Sequence, residues 1–185
     1  MISFLPGAAP DEPGGALYVP PQGQGRLDDP EHYDVLYLGD TRTGVCAEVF
    51  NRGKYRRQWS RDMLRGTPKL PGSARAMAWY EISDRTPICN LDDPNQLVAQ
   101  SLRPSQVITR DYAVSRTWAL RLFRRKRWCG VRWWSYHDAR WASFGLWDRG
   151  QIKTCGVQPL TLDDPNLAEA ARVLDIRLLK SRASS

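Results

Sequence analysis

The sequence predicts an α+β fold, a single domain in which a mixed, mostly antiparallel sheet core is flanked by helices. The chain has 185 residues, a length that suits one domain with a sizeable core. Its content of 42% hydrophobic and 25% charged residues is typical of globular proteins. Strand and helix patterns alternate irregularly along the chain, which argues against a doubly wound parallel sheet.

The first half of the chain opens on a Pro-, Gly- and Ala-rich stretch. Residues 1–30 are expected to form a loosely ordered lead-in followed by a loop. A helical pattern runs over 41–50, with Asp40 or Thr41 as its N-cap. The basic segment 51–75 predicts a mobile loop or a short helix. Apolar runs with strand character lie at 33–38, 77–82 and 88–91.

In the second half, apolar periodicity predicts a short helix after Pro94, a longer helix over 111–125 and a third over 165–174. Strand patterns cover 130–136, 142–147, 154–160 and 176–179. The sequence Leu-Asp-Asp-Pro occurs three times, and its last two copies come directly before helices, where Asp-Asp-Pro signals a helix start. The copies are unequally spaced, so a repeat architecture is not expected.

Charge and hydropathy narrow the classes of function. A formal net charge of +7 attracts anions, and the phosphates of a nucleic acid, a dinucleotide or an acidic partner surface all fit. No run approaches the roughly 18 apolar residues of a membrane span, and residues 1–10 lack the basic start of a signal peptide. We therefore expect a cytoplasmic protein without a membrane partner, with a domain at 14–180 between flexible ends at 1–13 and 181–185.

The four cysteines are Cys46, Cys89, Cys129 and Cys155. They form no CxxC pair and have no spacing typical of a zinc site, so no metal is expected. A domain of this length in a reducing compartment needs no disulfide framework. We expect reduced, mostly buried thiols.

Three candidate functional residues, Arg26, Tyr37 and Glu48, follow one another at intervals of eleven positions. Arg26 lies in a Gly-rich loop, where a guanidinium suits a phosphate, although a plain surface arginine fits as well. Tyr37 lies in a strand pattern, either as a core ring or as a ring that stacks on a planar base. Glu48 has apolar neighbours, and is either a solvated helix position or a carboxylate that stabilises positive charge at a breaking glycosidic bond.

Ser135 ends a strand pattern in which Val131 and Trp133 share its face. No Gly-x-Ser-x-Gly elbow surrounds it, and neither His32 nor His137 belongs to a hydrolase motif. We expect this serine to position a ligand rather than to attack one.

These residues and their surroundings resemble the RES domain, the toxin half of bacterial toxin–antitoxin pairs, which is named after an arginine, a glutamate and a serine. The resemblance begins with Gly25-Arg26 and the spacing to Tyr37 and Glu48. It continues with the strand from Gly130 to Ser135 and with Phe144-Gly145-Leu146-Trp147-Asp148, and covers the chain from about residue 14 to about residue 178.

The resemblance implies a fold similar to ADP-ribosyltransferase toxins, NAD as the substrate, and a site lined by Arg26, Tyr37, Glu48 and Ser135. Arg26 would hold the diphosphate, Tyr37 and Ser135 would orient the nicotinamide, and Glu48 would stabilise an oxocarbenium-like ribose. Water, phosphate or a protein would accept the ADP-ribosyl group, and NAD depletion would arrest growth. A cognate antitoxin with a helix-turn-helix DNA-binding region is also implied, although relatives occur as secreted effectors too.

The chain departs from the family pattern at two places. No arginine precedes Arg26, where relatives commonly carry one in an upstream strand, so Arg26 is expected to carry more of the cofactor binding. Thr117 follows Arg116, where relatives often have glutamine. Arg116 is still expected to be a secondary phosphate ligand.

Two other classes of function stay open. A basic, Trp-rich nucleic-acid-binding protein without enzymatic activity would use clustered cations and aromatic rings. These residues are Arg121, Arg124, Arg125, Lys126, Arg127 and Arg132, beside Trp118, Trp128, Trp133 and Trp134. Cations also complement a helix C-terminus, so direct nucleic-acid binding is not expected. A binding module without catalysis is disfavoured because Glu48 is present.

Overall fold

The computed structural model describes residues 1–51, 57–150 and 152–179. Within these ranges the strands are β1 (Ile2–Phe4), β2 (Leu36–Gly39), β3 (Gln58–Trp59), β4 (Ala74–Ile82), β5 (Ile88–Asn90), β6 (Gly130–Trp134), β7 (Ala142–Leu146), β8 (Ile152–Pro159) and β9 (Arg177–Leu178). The α-helices are α1 (Arg42–Phe50), α2 (Pro94–Ala99), α3 (Pro104–Val107), α4 (Tyr112–Arg124) and α5 (Pro165–Val173). The predicted α+β class, with mixed and mostly antiparallel strand pairing, is confirmed.

The chain forms two compact units. The first unit contains Met1–Tyr18, Thr41–Tyr80 and Thr154–Ser185, and the second contains Val19–Asp40 and Glu81–Lys153. Because these segments interleave along the sequence, neither unit is a separate stretch of chain.

The first unit holds a three-stranded sheet with the strand order β1-β4-β8 and a parallel pair formed by β3 and β9. Its helices α1 and α5 pack against each other.

The hydroxyl of Thr41 accepts the N–H of Gly44 at 3.1 Å, so Thr41 is the N-cap of α1, one of the two residues predicted for this role. Strand β1 corrects the expectation of a loosely ordered lead-in, because Ile2 pairs with Ala76 of β4.

The second unit is built on a four-stranded sheet with the order β2-β7-β6-β5. Strands β2 and β6 are antiparallel to β7, and β5 is parallel to β6. Tyr37 lies opposite Gly145, and Gly145 lies opposite Val131 on the other side. Val131 and Trp133 are buried in one core cluster with Trp118 of α4, as the alternation in β6 predicted.

Most predicted elements are present with small shifts at their ends. The second aspartate of the last two Asp-Asp-Pro copies caps a helix, since Asp93 accepts the N–H of Asn95 and Asp164 accepts the N–H of Asn166. The segment expected as a mobile loop or short helix contains β3 and a 3₁₀ helix, Arg61–Leu64. Its residues 52–56 lie outside the described residues, as do residues 181–185 of the expected tail.

Candidate active site

The Gly-rich loop that carries Arg26 is folded around the carboxylate of Asp28. Oxygen Oδ2 of this carboxylate accepts the backbone N–H groups of Gly23, Gln24 and Gly25 at 2.8, 3.0 and 2.6 Å. Successive N–H groups of this kind make an anion-binding concavity, and here the anion is a side chain of the loop itself. The loop therefore has an internal anion that fixes its shape.

Asp28 is 5% exposed and ionised. Burial alone raises the pKa of a carboxyl group, but the hydrogen bonds from the three backbone N–H groups and from the Tyr37 hydroxyl outweigh burial and lower the pKa of Asp28. The negative charge is thus stabilised by the loop that it organises.

Tyr37 supports the same loop from strand β2. Its hydroxyl donates to Asp28 Oδ1 at 2.7 Å and accepts the N–H of Leu27 at 2.8 Å. Burial, together with the hydrogen bond to Asp28, raises the pKa of Tyr37, so the hydroxyl keeps its proton. A Cβ at Gly25 would lie 2.4 Å from Asp28 Oδ1 and 2.6 Å from the Tyr37 hydroxyl oxygen, so this position needs glycine.

Leu27 attaches the loop to the sheet. Its side chain is fully buried, and its carbonyl accepts the hydroxyl proton of Tyr33 at 2.9 Å. A Cβ at Gly145 of β7 would lie 2.4 Å from the Leu27 side chain. The glycine at 145, which the sequence singled out as part of a family segment, thus gives Leu27 room to pack on the sheet.

Arg116 of α4 holds the opposite side of the loop. Its Nε donates to the Gly25 carbonyl at 3.0 Å, and its Nη2 donates to the carbonyls of Gly23 and Gly25, both at 2.9 Å. Asp28 therefore binds the N–H groups of the loop while Arg116 binds its carbonyls. The sequence predicted Arg116 as a phosphate ligand, and the hydrogen bonds in the structure give it a loop-holding role.

Arg26 is half-buried between its loop and the connection from α3 to α4. Its Nη1 donates to the carbonyls of Val107 and Thr109, both at 2.8 Å, and its guanidinium carbon lies 5.4 Å from the centre of the Tyr112 ring. The Arg26 carbonyl accepts the hydroxyl proton of the fully buried Ser115 at 2.6 Å. Both the backbone and the side chain of Arg26 are thus fixed.

Ser135 follows the last residue of β6 and is 3% exposed. Its N–H donates to the Trp141 carbonyl at 2.7 Å, and its Oγ accepts the N–H of His137 at 3.0 Å. The hydroxyl thus closes a tight turn at the end of the strand. The position of this hydroxyl is thus set by the turn that follows β6.

Glu48 lies in α1 of the first unit and is half-buried. Cys46, Ala47 and Phe50 of the same helix are buried, and Glu48 directly follows Ala47 in the sequence. Of the predicted site residues, the structure joins Arg26, Tyr37 and Arg116 through one loop. Ser135 stands at the end of a strand in the sheet that carries Tyr37.

Sequence reasoning missed Asp28, Leu27 and Ser115 as parts of this site. The Leu-Asp-Asp-Pro copy that contains Asp28 precedes no predicted helix, so the pattern assigned this aspartate no role. The available signal was an acidic residue three positions after the second glycine of a Gly-x-Gly-Arg loop. Three N–H groups in succession attract a carboxylate. Ser115 had no signal, since its partner is a carbonyl 89 positions away in sequence.

The basic cluster behind the nucleic-acid alternative is largely engaged within the protein. Arg121 and Arg125 both bond to Gln100, and Arg132 pairs with Asp92 and Asp40. Trp118 and Trp133 are buried in the core and cannot stack on bases. The cluster thus serves mainly the fold of the second unit.

No group of three or more His, Cys, Asp and Glu side chains suited to a metal ion lies within 1–51, 57–150 and 152–179. In the same part of the chain, none of the helices has both the length and the apolar character that crossing a bilayer requires.

Comparisons with known proteins agree with the fold and the motif. A chain of the M. tuberculosis MbcT–MbcA toxin–antitoxin complex superimposes with a TM-score of 0.54, covering 82% of this chain and 76% of that chain at 15% sequence identity. At this identity the likeness shows the fold alone. No curated protein matches the sequence. The family model of the RES domain matches residues 8–163, which include Arg26, Tyr37, Glu48 and Ser135. The chain therefore belongs to the RES domain family.

Proposed function

We propose that this protein is the toxin of a toxin–antitoxin pair and that it consumes NAD by cleaving the bond between nicotinamide and ribose. Membership of the RES family supports the class of reaction. The observation that carries the proposal is the loop around Arg26, whose N–H groups are bound by Asp28 and whose carbonyls are bound by Arg116. A loop fixed in this way holds a cation in place before an anionic substrate arrives, which lowers the cost of binding.

The chemical step breaks the bond between the ribose anomeric carbon and the nicotinamide nitrogen. The bonding electron pair leaves with nicotinamide, which becomes neutral, and positive charge develops on the ribose as an oxocarbenium-like ion. An oxygen of water, phosphate or a protein side chain then bonds to the anomeric carbon. With water as acceptor, the products are ADP-ribose, nicotinamide and one proton.

The proposed roles follow the chemistry of each side chain. The carboxylate of Glu48 stabilises the positive charge on the ribose, and the fixed cation of Arg26 binds the diphosphate. Tyr37 holds the loop by its hydroxyl and offers its ring to the nicotinamide, and Ser135 helps to orient the amide. In this assignment Arg116 acts through the loop rather than on the phosphate.

An antitoxin is the proposed protein partner. The structural neighbour is part of a toxin–antitoxin complex, which supports a partner of this kind. We propose a cytoplasmic protein whose antitoxin carries a helix-turn-helix DNA-binding region and blocks the site. NAD depletion in the absence of this antitoxin then arrests growth.

The test is release of nicotinamide from NAD by the purified protein, followed by liquid chromatography with and without phosphate. Glu48→Gln keeps the size of the side chain but removes its charge, and should lower the rate by about a hundredfold or more. Glu169→Gln is the matched control, because Glu169 is also a helical glutamate and its exposed pair with Arg172 contributes little. An equal rate for Glu48→Gln and wild type would contradict the proposal, as would no release in either buffer.

A further inference from the structure

Two exposed tyrosines in the second unit each contact an arginine. Tyr136 is 60% exposed and Tyr112 is 38% exposed. The guanidinium carbon of Arg110 lies 5.6 Å from the centre of the Tyr136 ring, and Nη2 of Arg110 donates to the Tyr136 hydroxyl at 3.1 Å. The guanidinium of Arg26 lies over the ring of Tyr112 in a similar way.

The two pairs are linked by a short stretch of backbone. Arg26 donates to the carbonyl of Thr109, the residue directly before Arg110. Asp111 then caps α4 by accepting the N–H of Ala113, so the segment between the two arginine contacts has a fixed shape. Tyr136 directly follows Ser135, and its ring lies 5.7 Å from that of His137. Arg110 is thus connected to Arg26 through the Thr109 carbonyl, and Tyr136 is the neighbour of Ser135 in the sequence.

The surroundings of Arg110 leave its positive charge available to an anion. Within the described residues this arginine has no carboxylate partner, since Asp111 caps the helix and Asp138 binds Arg140. A cation on an exposed ring adds little to the stability of a folded protein. The Arg110–Tyr136 pair therefore contributes little to the stability of the fold.

A planar ring beside a cation suits a nucleotide that carries a base and a phosphate. Aromatic rings stack on bases, and a guanidinium binds phosphate oxygens. The nicotinamide ring of NAD is positively charged, so the guanidinium of Arg110 repels it, whereas the adenine is neutral and is followed by the negative diphosphate. The electrostatics thus distinguish the two halves of the dinucleotide.

We propose that Arg110 and Tyr136 form the subsite for the adenosine diphosphate half of the substrate. Tyr136 stacks on the adenine, and Arg110 binds the diphosphate together with Arg26. The subsite rests on the proposed function only in taking NAD as the substrate, because its ligand chemistry is that of any adenosine diphosphate.

The test is calorimetric titration of the full chain with ADP-ribose and, separately, with ADP. Tyr136→Ala and Arg110→Ala should each weaken both ligands about tenfold, because each removes one contact of the adenosine diphosphate half. Tyr136→Phe keeps the ring and should stay within about threefold of wild type. Val98→Ala and Arg85→Ala are the controls, since each removes an exposed apolar or cationic side chain of the same unit. Unchanged melting temperatures verify that the variants are folded.

The outcomes separate this inference from the proposed reaction. Tyr136-dependent binding of ADP in a protein that releases no nicotinamide would support the subsite and contradict the reaction. Nicotinamide release with an unchanged KM for NAD and unchanged ADP-ribose affinity in both alanine variants would overturn the subsite alone. A loss of ADP-ribose binding without a loss of ADP binding would also overturn it, because the pair would then contact the other ribose. Wild type that binds neither ligand at millimolar concentration would exclude the subsite.

Discussion

The hydroxyl of Tyr37 donates to the Asp28 carboxylate at 2.7 Å and accepts the N–H of Leu27 at 2.8 Å. These two hydrogen bonds connect the first strand of the four-stranded sheet to the loop that holds Arg26. The aspartate in turn binds three successive N–H groups of that loop. The loop that carries Arg26 is therefore supported by a tyrosine eleven residues later in the sequence.

Tyr37→Phe should destabilise the protein although it changes a single oxygen. The substitution leaves the N–H of Leu27 and one oxygen of Asp28 without a partner, and an unsatisfied buried group costs about 1–3 kcal/mol in the free energy of unfolding. Urea denaturation measures this loss. Tyr18→Phe is the control, because Tyr18 is also half-buried but lies outside the loop, and it should stay within about 0.5 kcal/mol of wild type. Equal midpoints for the two variants would mean that the Tyr37 hydroxyl contributes no net stability.

Asp28 should make the protein less stable in acid. The folded-state pKa of Asp28 is lowered, so its contribution to stability is complete above the unfolded pKa of about 3.9 and is lost as the pH falls through the folded-state value. Asp28→Asn should be less stable than wild type at pH 7, and the difference should shrink as the pH falls below about 4.

Unfolding free energies measured between pH 2 and pH 7 would detect this convergence. Asp34→Asn serves as the control, because Asp34 is exposed and lies in the same segment. A constant difference between wild type and Asp28→Asn across the whole pH range would exclude a charge contribution from Asp28.

The elements of the fold were predictable where the pattern is local. Helix α4 and strand β6 follow from apolar periodicity and from alternation, and the caps at Asp93 and Asp164 follow from Asp-Asp-Pro. Strand β1 was missed because its three residues have no alternation that distinguishes them from a loop. It exists through pairing with β4, whose partner residues lie 70 to 74 positions away.

Arg26, Tyr37 and Arg116, which the sequence proposed for the site, meet at one loop, but the sequence did not predict their contacts. Asp28 has the same position in its Leu-Asp-Asp-Pro copy as Asp92 and Asp163 have in theirs. Only Asp28 follows a Gly-rich loop, which gives it three N–H groups to bind. Arg116 was expected at the site, but its carbonyl partners depend on the packing of α4. Such long-range hydrogen bonds leave no trace in spacing or composition.

Arg116→Lys should loosen the loop while keeping the charge. Lysine has one nitrogen and cannot donate from two positions to the carbonyls of Gly23 and Gly25. Amide hydrogen exchange at residues 23–25 should therefore become about tenfold faster or more, since hydrogen bonds from charged groups contribute about 1.5–3 kcal/mol.

The matched control is Arg121→Lys. This arginine lies on the same helix and also donates to a backbone carbonyl, that of Gln100, which is outside the loop. Loop exchange should be unchanged in that variant. If both variants or neither of them accelerate exchange at residues 23–25, Arg116 does not hold the loop specifically.

Gly25→Ala should lower the stability of the protein and, under the proposed function, the rate of nicotinamide release. The new methyl group would lie 2.4 Å from Asp28 Oδ1 and 2.6 Å from the Tyr37 hydroxyl oxygen, and both groups are fixed by other hydrogen bonds. Overpacking of this kind costs about 1–3 kcal/mol. Gly150→Ala is the control, because its methyl group would meet only Asp148, at 3.3 Å.

A double-mutant cycle separates this clash from a general effect of a larger side chain. Tyr37→Phe removes the oxygen that the methyl group approaches, so Gly25→Ala should cost less in the Tyr37→Phe variant than in wild type. The coupling free energy should be about 0.5 kcal/mol or more, the usual range for residues in contact. Strictly additive free energies of unfolding would mean that the loop moves away from Tyr37 when position 25 is enlarged, and that the tyrosine does not fix the position of the loop.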